Sequence, residues 1–163
     1  MSFLKILPDV LLLGLIYSIL YKRTNKHDDK HAILVFSLLF MSLGLIILVT
    51  LSPVLLSLKN IFIDHPRTYN FELFVDWTHK YGNYITDTVL NIILFIPFSL
   101  TLALATKKKP LSIILSGILL SLFIETIQPL LSTARIGDIT DVFNNSLGTI
   151  IGTLLSLFFI KKN

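Results

Sequence analysis

The chain has 163 residues, of which 53% are hydrophobic and only 15% charged, and it contains no cysteine. So apolar a composition excludes an ordinary soluble domain and points to an integral membrane protein, while the absence of cysteine excludes disulfides, thiolate catalysis and Cys-ligated zinc. The net charge of +4 matters less than where the cations fall along the chain.

The first apolar run, Ile6 to Tyr21, carries Pro8 and Asp9 near its start and closes on Lys22-Arg23. No small-residue cleavage site follows it, so it reads as a retained membrane helix rather than a removed signal peptide. A charged loop, residues 22–31, contains His27 and His31; four residues apart but flanking a loop, they read as solvated. The second run, Ala32 to Leu58, is long enough to span with tilt, and Pro53 should end it or kink its last turn. Residues 59–87 form the longest polar connection. Within it Phe71, Phe74 and Val75 fall at helical spacing beside Trp77 and Tyr81, which fits either a short interfacial helix or an ordered surface loop. His65 and His79 also lie here, with no obvious partner.

The third run, Thr88 to Ala105, contains Asn91 and Pro97 and closes on Lys107-Lys108-Lys109-Pro110, with Pro110 placed for the first turn of the next helix. The fourth run, Leu111 to Leu131, contains Glu125, Gln128 and Pro129; a tight polar loop follows, and the fifth run extends from about Asp141 to Ile160. The expected fold is therefore all-α, a polytopic bundle of five transmembrane helices. Orientation follows from the cations. Lys22, Arg23, Lys26, Lys30, Lys107, Lys108, Lys109, Lys161 and Lys162 share one side, against Lys5, Lys59, Arg67, Lys80 and Arg135 on the other. Nine against five places the N-terminus outside and the C-terminus in the cytoplasm.

The densest chemistry lies between Glu125 and Gly152. Counting from Leu111 at 1.5 Å per residue, Glu125 sits roughly 21 Å into a core of about 30 Å, inside the bilayer near its outer face. Gln128 is one turn further out on the same face, and Ser121 and Gly117 lie below it. On the fifth helix Asp138, Asp141, Asn145, Gly148, Gly152 and Ser156 share a face. Gly148-x-x-x-Gly152 is a close-packing signal. Pro97, near mid-membrane, frees the carbonyl of Ile93 and bears on the packing of the third helix. Asn91, Glu125, Gln128, Arg135, Asp138, Asp141 and Asn145 can thus surround one outward-facing recess that binds a ligand. The plainer reading is that the amides join helices for about 1 kcal/mol each, that Arg135 and Asp138 form a surface ion pair, and that Asp138 or Asp141 caps the fifth helix. Intramembrane ionisable groups favour the functional reading. Glu125, Asp138 and Asp141 with Asn145 could hold a hard divalent cation, Asp138 and Asp141 being the nearest to metal ligands, but their spacing matches no known metal loop. No cofactor motif, phosphate-cradling loop or nucleic-acid patch is present.

At these residues the chain resembles the VanZ-like family of bacterial membrane proteins. Asn91 to Phe98 is similar to that family's N-x-x-x-F-x-P-[FL]-G segment, with Ser99 in place of the last glycine. Glu125-x-x-Gln128 is similar to its E-x-x-Q, and Asp138-x-x-Asp141-x-x-x-Asn145-x-x-Gly148-x-x-x-Gly152 to its acidic loop and following helix, with Arg135 where many members carry an arginine. Asn70 to Phe74 corresponds to an N-L-x-P-F segment with Leu73 at the proline position. The likeness covers residues 70–160. Residues 1–31 then read as an additional helix and loop, and 32–163 as the VanZ-like membrane domain.

The resemblance implies a multi-pass protein of the bacterial cytoplasmic membrane, in contact with membrane lipids and linked to the cell envelope. The name-giving member is associated with teicoplanin resistance. Two functions from different classes follow. One is a binder that holds or shields a lipid-linked cell-wall precursor or lipoglycopeptide. The other is a membrane enzyme on a lipid-linked or phosphorylated envelope precursor, with Glu125 as acid/base. A transporter ranks third, because five short spans leave little room for a path.

Overall fold

The computed structural model describes residues 3–24 and 29–160. Five long helices carry the chain across the bilayer: α1 (Phe3–Thr24), α2 (Lys30–Thr50), α5 (Tyr84–Thr106), α6 (Pro110–Leu131) and α7 (Ile139–Ile160). All five are long and apolar enough to span. The second apolar run is shorter as a helix than its composition suggests. Helix α2 stops at Thr50, and residues 54–62 form a separate short helix, α3 (Val54–Ser57), and a 3-10 turn (Leu58–Phe62). Pro53, at the N-cap of α3, has no N–H to continue a ladder and biases Ser52 away from the α region. Apolar length alone therefore overcounted this span. The aromatic connection holds one short helix, α4 (Val75–His79), with left-handed residues at both caps, Phe74 and Lys80.

Helices α5, α6 and α7 form the tight part of the bundle, and glycines set its spacing. A Cβ on Gly148 would strike the carbonyl of Ile92, one on Gly152 the carbonyl of Ile96 and the hydroxyl of Ser99, and one on Gly117 the side chain of Thr149. Backbones this close need glycine or another small residue on at least one side. Ser99 stands on α5 where the motif calls for glycine; it is fully buried and its Oγ donates to the Phe95 carbonyl at 2.9 Å, so here Gly152 provides the gap. Pro97 is one residue, about 100°, around α5 from Ile96. It is exposed and lies off the Ile92–Ile96–Ser99 seam, although its position in the sequence suggested a packing role.

Helix α2 joins α5 through the Ser42 and Thr101 hydroxyls, 3.3 Å apart. Helix α1 lies against α2 through Tyr17, stacked on Phe36 and tilted against Phe40, and through a Tyr17–Ser37 hydroxyl contact of 2.9 Å. A buried core of Ile46, Leu51, Leu94, Phe95, Phe98, Ile124 and Leu131 fills the space between α2, α5 and α6. The ends of α2 and α6, the starts of α1, α5 and α7, and the chain from 51 to 83 all gather at one end of the bundle. His27, Lys26, Lys161 and Lys162 lie outside the described residues.

Candidate functional site

Two short segments far apart in sequence meet at that end. β1 (Tyr69–Asn70) pairs in parallel with β2 (Gly137–Asp138), Tyr69 opposite Gly137 and Asn70 opposite Asp138. Gly137 is required because a Cβ there would meet the Glu125 carbonyl and the Tyr69 ring. The pairing lays the long polar connection over the ends of α6 and α7. Tyr69 donates its hydroxyl to the Thr126 carbonyl at 3.2 Å. The C-terminal turn of α6 leaves carbonyls without helical partners, and this connection supplies them. Asn60 Nδ2 reaches the Leu131 carbonyl at 2.6 Å, and His65 Nε2 reaches that of Pro129 at 3.0 Å. His65, partnerless in the sequence, is therefore a strut.

Glu125 is buried near the end of α6, 7% exposed. Its Oε2 accepts the backbone N–H of Asp138 at 2.9 Å. The nearest groups in sequence, Arg135 and Gln128, donate elsewhere: Arg135 Nη2 to the Ser52 carbonyl at 2.9 Å and Gln128 Nε2 to the Thr50 carbonyl at 3.0 Å. Asp138 caps α7. Its Oδ1 accepts the Thr140 N–H at 2.6 Å and its Oδ2 accepts Asn70 Nδ2 at 2.9 Å. The capping alternative therefore holds for one oxygen of Asp138. Asn145 is buried, donating Nδ2 to Ser121 Oγ at 2.9 Å, with its Oδ1 unpartnered.

The remaining polar groups face open space. A recess of about 480 Å³ lies between the ends of α2, α5 and α6 and the 134–136 loop, and Asn91, Gln128, Arg135 and Asp141 all line it, with Asp87. The Asn91 side chain and the Asp141 carboxylate line it as neighbours. Val49, Leu90, Leu94 and Ile136 form the apolar part of the wall. Burial pulls the Arg135 guanidinium below its ordinary range, and the negative field of Glu125 opposes that shift; as an arginine it keeps its charge. Asp87 and Asp141 also border a second recess of about 120 Å³, whose other walls include Asp76, Trp77, Tyr84 and Asn144. Asp138 borders that recess too, and with Glu125 it also borders a third, smaller space of about 80 Å³ with Tyr69, Phe71 and Leu122.

Of the seven residues grouped by sequence, four thus share the main recess, Glu125 and Asp138 hold its scaffold, and Asn145 is in the helix core. Among the described residues, no group of three His, Asp or Glu side chains is arranged to hold a metal ion. Sequence reading missed several contributors. Asp87 lies four residues before Asn91, on the same helix face, and that spacing was a usable signal. Asp9, buried in α1, is an intramembrane acid of the kind that asks for a partner. It accepts from Ser52 Oγ at 2.5 Å, Val54 N at 2.7 Å and Leu55 N at 2.9 Å. Thr140 gave no local signal, since its partner is 66 residues away; the family resemblance pointed to Asn70, but not to its partner 68 residues on.

One family model, VanZ/LLP1, matches residues 10–160 of the chain, a stretch that holds all five membrane-spanning helices except the first turns of α1. The chain belongs to the VanZ/LLP1 family. The match is wider than the motifs, since it begins within α1. No curated protein and no solved structure matches the chain. As a VanZ-like protein it is a multi-pass membrane protein in contact with lipid along its helices.

Proposed function

We propose that this VanZ-like protein works in the bacterial cell envelope as a binder. The main recess takes the polar end of a lipid-linked cell-wall precursor or a teicoplanin-type lipoglycopeptide, and shields it. The observation that carries this reading is the make-up of the 480 Å³ recess. One cation, Arg135, and two carboxylates, Asp87 and Asp141, line it together with the apolar Val49, Leu90 and Leu94. That mixture complements a ligand that carries charges of both signs and a hydrocarbon part. The cytoplasmic membrane is the expected location, with the recess outside and the C-terminus inside, as the nine-to-five distribution of Lys and Arg favours.

The enzymatic alternative rests on Glu125. Its Oε2 is occupied by the Asp138 N–H and it borders the small space rather than the main recess. This geometry suits a group that positions the 137–138 strand better than one that exchanges protons with a bound substrate.

The test expresses the chain in a teicoplanin-sensitive bacterium at matched membrane abundance, and reads the inhibitory teicoplanin concentration and the envelope lipid profile together. The binder should raise that concentration with the lipids unchanged, and Arg135→Ala and Asp141→Asn should each abolish the rise. An unchanged concentration with wild-type protein would remove the lipoglycopeptide. A new lipid species that disappears in Glu125→Gln would replace the binder with the enzyme. Cysteines introduced at His79 and Ala134 should label from outside intact cells and one at Lys108 only after permeabilisation; the opposite pattern would reverse the orientation.

A further inference from the structure

A second recess lies at the far end of the bundle, away from every residue of the candidate site. It has a volume of about 900 Å³ and lies between the start of α2 and the ends of α5 and α7. The helices meet at the Ser42–Thr101 contact; beyond it the first two turns of α2 face the last turns of α5 and α7. Val35, Phe36, Leu104 and Phe159 form the apolar wall, and Lys107 and His31 stand at the mouth. The recess is within the range of small-molecule sites.

The charge around the mouth is mostly of one sign. Lys107 lines the recess, and Lys30, Lys108 and Lys109 adjoin it in sequence. The acid on the rim, Asp29, turns its Oδ1 to the His31 and Ala32 N–H groups, at 3.0 and 3.1 Å, as the cap of α2. Lys107 itself holds the left-handed C-cap of α5 at φ 51°. Glycine or asparagine is the ordinary choice there, and a lysine carries a steric cost. A lysine kept at that turn puts an ammonium at the mouth of an apolar groove.

We propose that this groove is a binding site for an anionic phospholipid. The phosphate head pairs with Lys107 beside His31, and one acyl chain lies along Phe36, Leu104 and Phe159. Basic pockets between membrane helices recognise such headgroups by charge, and the apolar wall separates a bound lipid from a free anion.

The experiment uses the full chain purified in detergent. Thermal unfolding and native mass spectrometry are followed as phosphatidylglycerol, phosphatidylcholine of the same chains, or inorganic phosphate is added. Phosphatidylglycerol should bind about fivefold more tightly than phosphatidylcholine and raise the unfolding temperature more, and inorganic phosphate should do neither. Lys107→Gly keeps the left-handed turn while removing the ammonium, so it should fold as well as wild type and lose the preference; Lys107→Arg should retain it. Equal binding of the two lipids, an undiminished preference in Lys107→Gly, or stabilisation by phosphate alone would each overturn the proposal.

Discussion

Helix α7 and helix α1 show opposite ways of living in a bilayer. Helix α7 is the least apolar of the five spans, yet 39% of its span is buried, against 6% for α1. Helix α2, the most apolar, is only 22% buried. In water the most hydrophobic helix would take the centre. In lipid the tails are as apolar as leucine, so small residues and hydrogen-bonding groups decide which helices touch. Helix α7 lines its buried face with Asn145, Gly148, Thr149, Gly152, Thr153 and Ser156, and the hydroxyls of Thr149, Thr153 and Ser156 return to their own backbone at 2.9, 2.7 and 2.6 Å. Helix α1 shows lipid Leu4, Leu11, Leu12, Leu15 and Ile19. It is fastened by the Tyr17 ring cluster and by a polar clamp at Asp9.

The strongest way to break this contrast is to place the same side chain on both helices. Gly152→Leu drives a side chain into the Ile96 carbonyl and Ser99 and should cost about 3 kcal/mol or the folded yield altogether. Gly14→Leu on α1 meets nothing within 4 Å and should stay within about 0.5 kcal/mol of wild type. Unfolding in detergent measures both, and equal losses would mean that α1 packs as tightly as α7.

Asp9 tests the polar one of the two attachments of α1. Asp9→Ala leaves the Val54 and Leu55 N–H groups and the Ser52 hydroxyl without their acceptor, which should cost about 2 kcal/mol. Protease cleavage between 51 and 62 should quicken, while the α5–α7 seam keeps its protection from hydrogen exchange. Cleavage at the wild-type rate would show that the clamp holds nothing.

Glu125 sharpens the comparison at the site end, where the seam meets the loop. Glu125→Ala leaves the Asp138 N–H unpaired and should lose about 1–2 kcal/mol. Glu125→Gln keeps an acceptor and should unfold close to wild type with its phenotype intact. Normal abundance with the phenotype lost in Glu125→Gln would return Glu125 to a chemical role. The smallest effect is expected at Asn70→Ala, which removes the bond to Asp138 Oδ2 and two solvent-exposed bonds with the Glu72 backbone. It should cost about 1 kcal/mol, read as a modest fall in unfolding temperature. A larger fall there than in Glu125→Ala would make the strand pairing, not the carboxylate, the main fastening of the loop.

The five spans were legible because the signal for each is local. Eighteen or more apolar residues must cross or be buried, and Pro110, the lysine runs and the polar loops mark their ends. The shared faces of Gly148 and Gly152 and of Glu125 and Gln128 were legible too, since a helix period fixes which residues lie together. Pro53 marked the end of the second span in the sequence, and α2 does stop just before it, at Thr50; what the sequence did not show is the acceptor that holds the break, Asp9, 43 residues before Ser52.

The sequence by itself determined the class of molecule, the number of crossings and the end at which the polar groups gather. Only the tertiary structure decided what each polar group does there. A buried donor or acceptor must be paired, but the choice of partner depends on how distant segments return. Asp138 meets Asn70, Arg135 meets Ser52, and Glu125 meets a backbone N–H in place of the nearby cation. Those pairings divide the ionisable groups into a scaffold and a recess, and no periodicity along a single helix encodes that division.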